Sequence, residues 1–116
     1  MKIRPPVLSE RDVALQIRTW LEARGWYAIR LQSGTVRGVT RGTFMRLGVP
    51  GLPDWVFLRK WGGYAIHLLV EVKRKGGKLR PEQVAWNAMA DRLGLWHILA
   101  DSLESFIAKY EEGMPK

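Results

Sequence analysis

The segment that most restricts what this chain can fold into is AIHLLVEVKR, residues 65–74. Along an extended strand side chains alternate, so Ile66, Leu68, Val70 and Val72 share one face and Leu69, Glu71 and Lys73 the other. A strand this apolar on both faces belongs in the middle of a sheet, covered by helices. Charged side chains are rarely buried without partners, because desolvating them is costly. Glu71 and Lys73 at the end of such a strand therefore need an explanation.

The rest of the chain supplies the layers. Met1 to Leu8, with Pro5 and Pro6, reads as an extended arm. Ser9 offers an N-cap and Asp12 completes a capping-box pattern. Val13, Ile17, Trp20 and Leu21 recur at helical spacing and Gly25 suits a helix end, which predicts a helix over Glu10–Arg24. Trp26–Leu31 (WYAIRL) and Asp54–Lys60 (DWVFLRK) read as strands. Trp61, Gly62 and Gly63 supply a turn into a third strand, Tyr64–Arg74, making a hairpin.

Between Gln32 and Pro53 lie five glycines, two prolines and three arginines, with no periodicity apart from Thr43–Leu47. That predicts a long loop, of a kind usually functional or mobile. Beyond the basic loop Lys75–Arg80, Pro81 suits a first helical turn, and Val84, Trp86, Met89, Ala90 and Leu93 carry a helix to Gly94. Leu95–Ala100 is a fourth strand. Asp101 or Ser102 caps a last helix through Leu103, Phe106, Ile107 and Tyr110, and residues 113–116 are expected to fray. The order gives an α/β sandwich, a mixed sheet flanked by helices.

At 116 residues the chain reads as one domain, 1–116. Its 47% hydrophobic content excludes disorder by composition. No apolar run reaches the roughly 20 residues that span a bilayer. The first twelve residues lack the apolar stretch of a secretory signal. The expectation is a cytoplasmic protein with no membrane partner. With no cysteine, disulfides and thiolate metal sites are excluded. Nineteen Lys and Arg against eleven Asp and Glu give a net charge of +8, and the isoelectric point is near 10.3. A value above about 9 is the electrostatic footprint of a nucleic-acid binder, since neutralised phosphates release counterions. The plainer reading is a basic protein that is merely soluble.

Asp54 opens the strand paired with the third, which brings it to the end where Glu71 and Lys73 stand. Two carboxylates with the Val72 carbonyl between them make an oxygen-rich pocket for a hard divalent ion such as Mg²⁺ or Mn²⁺. Such an ion polarises a phosphate and acidifies a bound water. Lys73 can hold the nucleophile or stabilise the transition state. The plainer reading pairs Glu71 with Lys73 across about 7 Å of strand and leaves Asp54 an ordinary cap. Glu-x-Lys alone is a weak signal; an aspartate on the preceding strand, after GVPGLP, sharpens it.

Glu10 at the head of the first helix, Gly25-Trp26 with its strand and LQSG, GVPGLPDWV, and VEVKRKGGKLRPEQVAW occur in that order. Over roughly Ser9–Ala100 the chain resembles the VRR-NUC (virus-type replication-repair nuclease) family of the PD-(D/E)XK superfamily. The resemblance implies a restriction-endonuclease-like fold with Asp54, Glu71 and Lys73 catalytic. It also implies that Glu10, on the face of Val13, Ala14 and Ile17, helps organise the metal directly or through water. Gln83 would lie near the lysine, and Ser33 would be a small polar residue at the site. For Glu10 the plainer role is a first-turn acid favoured by the helix dipole, and for Gln83 a surface residue.

Lys73, Arg74, Lys75, Lys78 and Arg80 fall within eight positions uninterrupted by an acid. Arg37, Arg41 and Arg46 lie in the loop leading to Asp54. Both segments border the site, where a phosphate backbone should run; the plainer reading is a solvated loop. Trp20, Trp26, Trp55, Trp86 and Trp96 read as core, and Trp61 as a stacking, interface or ordinary turn residue. His67 and His97 have no partner at ligand spacing and read as structural. The expected protein is a Mg²⁺- or Mn²⁺-dependent DNA endonuclease in a bacterial or phage-infected cell. By the resemblance it cuts branched DNA such as Holliday junctions and acts as a homodimer. The rivals are a non-catalytic nucleic-acid-binding module and a flap-processing or restriction-type nuclease.

Overall fold

The computed structural model describes residues 7–31, 34–37, 44–47 and 50–115, the two four-residue stretches by backbone course alone. The elements in chain order are α1 (Glu10–Glu22), β1 (Tyr27–Arg30), β2 (Gly34–Arg37), β3 (Phe44–Leu47), β4 (Trp55–Trp61) and β5 (Tyr64–Val72). They continue with α2 (Pro81–Leu93), β6 (His97–Ala100) and α3 (Leu103–Gly113). β1, β4, β5 and β6 form one mixed sheet in that order, antiparallel up to β5 and parallel between β5 and β6. A parallel neighbour needs a crossover, and α2 is that crossover. The architecture is α/β, a four-stranded mixed sheet with three helices.

The apolar alternation of β5 sorts the layers. Leu68, Val70 and Val72 are 0–2% exposed and face Val13, Ile17 and Leu21 of α1 and Phe106 and Tyr110 of α3, with Trp55, Phe57, Ile98 and Ala100 beside them. The opposite face is covered more thinly. α2 buries Gln83, Trp86 and Ala90 there, with Trp86 edge-on to His97 at 5.9 Å, while Leu58 and Ile29 stay open. The expectation that helices cover both faces of β5 thus holds fully on one side only.

Caps set the helix ends. The Ser9 hydroxyl accepts the Asp12 N–H at 3.1 Å, and α1 stops at Glu22, with Gly25 left-handed at φ 88°. Pro81 starts α2 and Gly94, at φ 72°, ends it. Ser102, not Asp101, caps α3 by accepting the Ser105 N–H. The tail expected to fray from residue 113 overlaps the end of α3. α3 runs through Gly113, whose missing Cβ makes room for the Trp96 indole, and Met114 packs on the core.

Further boundaries differ from expectation, β1 and β6 being shorter, at Tyr27–Arg30 and His97–Ala100. β4 begins at Trp55, because Asp54 is a bend. β5 ends at Val72: the Lys73 N–H still bonds Ala100, but the Arg74 N–H turns to Glu10. Trp61 belongs to β4, paired with Tyr64 across a Gly62–Gly63 turn. The long loop before Pro53 also contains an antiparallel pair, β2 and β3, forming a second small sheet. β3 falls in the Thr43–Leu47 stretch. β2, GTVR, has only two β-branched residues between glycine-rich flanks, too short a run for periodicity to register. Residues 1–6 of the expected arm, Ser33, Arg41 and Lys116 lie outside the described residues. No helix among the described residues is long and apolar enough to cross a membrane.

Candidate active site

The site forms where β4 and β5 part. Trp55 opposes Val70, so the next pair along is Asp54 and Glu71. There side chains replace the ladder. The Asp54 N–H donates to Glu71 Oε2 at 3.1 Å, and the Val72 N–H donates to Asp54 Oδ2 at 3.2 Å. The Leu31 N–H donates to the Asp54 carbonyl at 2.8 Å, which anchors the residue to the β1 side as well. Extending the register one step further opposes Val72 with Pro53. Proline has no N–H, so it offers the Val72 carbonyl no ladder partner, and that oxygen faces the same strand edge as the Asp54 carboxylate.

Glu71 is held from its other side by α2. Gln83 Nε2 donates to Glu71 Oε1 at 2.9 Å, and Gln83 Oε1 accepts the Arg80 N–H at 2.9 Å. A glutamine at the third helical position reaching back to the N-cap N–H is half of a capping box. Gln83 therefore caps α2 with one end of its amide and orients Glu71 with the other, and at 4% exposed it is not a surface residue. In this geometry it positions a carboxylate.

The two carboxyls resist ionisation. Burial, and then the charge of Asp54, push Glu71 from its ordinary 4.5 up to about 7, against the pull of Lys73 and the Asp54 N–H. Burial likewise raises Asp54, opposed by the Val72 N–H and the charges of Arg30 and Lys73. Lys73 is half-buried, and its charge acts on both acids.

A divalent cation is testable against this donor set. Two half-buried carboxylates that repel each other, with a carbonyl at the same edge, suit a hard ion that takes one or two carboxylates and completes its shell with water. A cage of three acids is a different matter. Among the described residues no three Asp, Glu or His side chains gather into a group able to hold an ion. Glu10 spends Oε1 on the Arg74 N–H at 3.1 Å. It lines the same cavity as Asp54 and disfavours ionisation of both acids by its charge. The donor set fits a hard divalent ion at Asp54 and Glu71, while Glu10 is held by the Arg74 N–H.

The basic loop is pinned at both ends to these side chains, Arg74 by Glu10 and Arg80 by Gln83. Between them Arg74, Lys75, Lys78 and Arg80 are exposed, and Arg80 pairs with Glu82 at 3.5 Å. Arg37 and Arg46 are the β2 and β3 partners of Phe44 and Thr35. His67 accepts the Trp96 N–H, and His97 pairs with Asp91 at 2.6 Å; both are tied into the scaffold.

Some contributors escaped the sequence reading. A cavity of about 770 Å³ beside Asp54 is lined by Glu10, Arg11, Arg18, Arg30, Trp55 and Val72 among others. Glu10, Ala14 and Arg18 recur every four residues, so helical spacing alone could have found Arg18. Gly51, at φ 82°, lies against α2: a Cβ there would be 2.1 Å from the Glu82 carbonyl oxygen. Comparison with known proteins returned no family model, no curated protein and no solved structure that matches this chain.

Proposed function

We propose that the chain is a metal-dependent DNA endonuclease of the PD-(D/E)XK type, hydrolysing phosphodiester bonds with Asp54, Glu71 and Lys73. The observation that carries this reading is the pair of half-buried carboxylates at the β4–β5 fork, Glu71 accepting the Asp54 N–H and Asp54 accepting the Val72 N–H, with the Lys73 charge acting on both. A structural ion pair would place Lys73 against one acid; here two acids are held side by side against their own repulsion. Such an arrangement costs stability, and costs of that kind cluster at functional sites.

Asp54, Glu71 and the Val72 carbonyl would hold Mg²⁺ or Mn²⁺, which would supply Lewis acidity toward a phosphate oxygen and a more acidic bound water. The chain's own groups do the rest. Gln83 keeps Glu71 aimed at the fork, and the Val72 and Leu31 N–H groups fix Asp54. Lys73 brings a positive charge to where negative charge grows in the transition state. Exposed Arg74, Lys75, Lys78 and Arg80 meet the backbone of the nucleic acid.

The preferred substrate in this reading is branched DNA such as a four-way junction. That object is two-fold symmetric and must be cut twice, which suits a C2 homodimer. Trp61 at the β4–β5 tip is open enough to serve a dimer contact; α3 spends its apolar face on this chain's own core. The test is cleavage of labelled four-way junction, flap and linear duplex with Mg²⁺ or Mn²⁺, for wild type beside Asp54→Ala and Lys73→Ala. The expected result is junction cleavage by wild type and at least about 10²-fold slower cleavage by variants that still bind. Binding without cleavage by all three would replace the reading with a non-catalytic binding module.

A further inference from the structure

The cavity beside Asp54 has a basic wall distinct from the Arg74–Arg80 loop. Arg30, at the end of β1, stands opposite Trp55 of β4; its guanidinium carbon lies 5.5 Å from the Trp55 ring centre. Arg18, two turns along α1 from Glu10, places its guanidinium 5.4 Å from the same ring. Trp55 is 8% exposed and stacked on Phe57, so it is a fixed platform for two otherwise flexible side chains.

A guanidinium resting on an aromatic face keeps its in-plane N–H donors free for a carboxylate or phosphate. Arg18 uses Nε on Glu22 at 2.8 Å. Arg30 makes no ion pair among the described residues. The cavity, at about 770 Å³, lies in the roughly 300–1,000 Å³ range that accommodates organic ligands and is far larger than a hydrated ion needs. Its lining joins these arginines to Asp54 and Val72.

Resting on the nuclease reading, we propose that Arg18 and Arg30 bind the phosphate backbone of the strand to be cut and lay it along the groove between α1 and β1, against Asp54. The carboxylates then lie between two basic walls, the arginine pair on the α1 side and the Arg74–Arg80 loop running to α2. Guanidinium–phosphate contacts are short, charge-assisted and often bidentate, so these residues set where the scissile bond rests as well as how tightly DNA is held.

The experiment is fluorescence anisotropy of labelled four-way junction in EDTA over a range of NaCl, with Mn²⁺-dependent cleavage measured in parallel. The proteins are wild type, Arg18→Gln, Arg30→Gln, the double variant, Arg18→Lys, Arg30→Lys and Glu22→Gln. Each glutamine variant is expected to bind about tenfold more weakly and to lower the salt slope by about one. The lysine variants keep the slope but lose affinity, because the charge remains and the fork does not. Glu22→Gln, which only frees Arg18, binds at least as well as wild type. If wild type binds and cuts while the double variant matches it in affinity and slope, the arginine wall is overturned and the nuclease reading stands. If wild type neither binds nor cuts, both fall. Should a glutamine variant melt early, the lysine variants decide the matter.

Discussion

Glu71 carries the most informative single-residue behaviour. Its carboxyl, pushed up to about 7 by burial and by Asp54, keeps a proton in the folded state that the unfolded chain has already released. Stability from this group is therefore greatest below its ordinary 4.5 and is lost as pH rises through about 7. In metal-free protein the melting temperature of wild type should fall relative to Glu71→Gln across that window. A difference that stays flat from pH 4.5 to 7.5 would contradict the described burial of the carboxyl. A ligating carboxylate must give up its proton, so Mn²⁺ affinity should weaken as pH drops below about 7, a trend that calorimetry at several pH values would show. Gln83→Leu removes both the α2 cap and the donor to Glu71; it should cost about 1–2 kcal/mol in chemical denaturation and slow cleavage without abolishing binding.

Among the contacts between elements, Gly51 sits directly against the start of α2. Its left-handed backbone and its approach to the Glu82 carbonyl both forbid a side chain. Gly51→Ala should destabilise the fold by at least about 2 kcal/mol, and a variant as stable as wild type would show that this contact does not exist. At the other end of the sheet the Trp26 indole N–H donates to the Tyr110 hydroxyl at 3.0 Å. Tyr110→Phe should leave that buried donor unpaired, at about 1–3 kcal/mol. The elements readable from sequence are those whose signals are local. The alternation of β5, the caps Ser9, Pro81 and Gly94, and the Gly62–Gly63 turn each sit within a few residues of what they specify. That Asp54 comes beside Glu71 and feels the Lys73 charge was readable too, because hairpin register is a local property. The rest depends on tertiary contact. Nothing near Gln83 announces that its amide reaches Glu71, and α1 must lie across β1 before Arg18 and Arg30 can share the Trp55 ring. The thin cover of α2 is likewise invisible in β5, whose residues are apolar on both faces.

At the scale of the whole molecule, charge gathers at one end of the central strands β4 and β5. The +8 net charge is contributed in part by the loop pinned to Glu10 and Gln83 and in part by the arginines over Trp55, and the acid pair lies between them. The proposed homodimer should appear as a doubling of mass in sedimentation equilibrium, and Trp61→Ala should shift it toward monomer if the β4–β5 tip is the contact. The central claim is that Asp54 and Glu71 hold a divalent ion that drives phosphodiester hydrolysis. Its most direct test is the single-turnover cleavage rate of a four-way junction against Mn²⁺ concentration, for wild type and Asp54→Asn, with junction binding measured alongside. The expected rate saturates with Mn²⁺, vanishes in EDTA and falls about 10²–10³-fold in Asp54→Asn with binding retained. Cleavage that survives EDTA or Asp54→Asn, or tight binding with no cleavage at any Mn²⁺ concentration, would contradict the central claim.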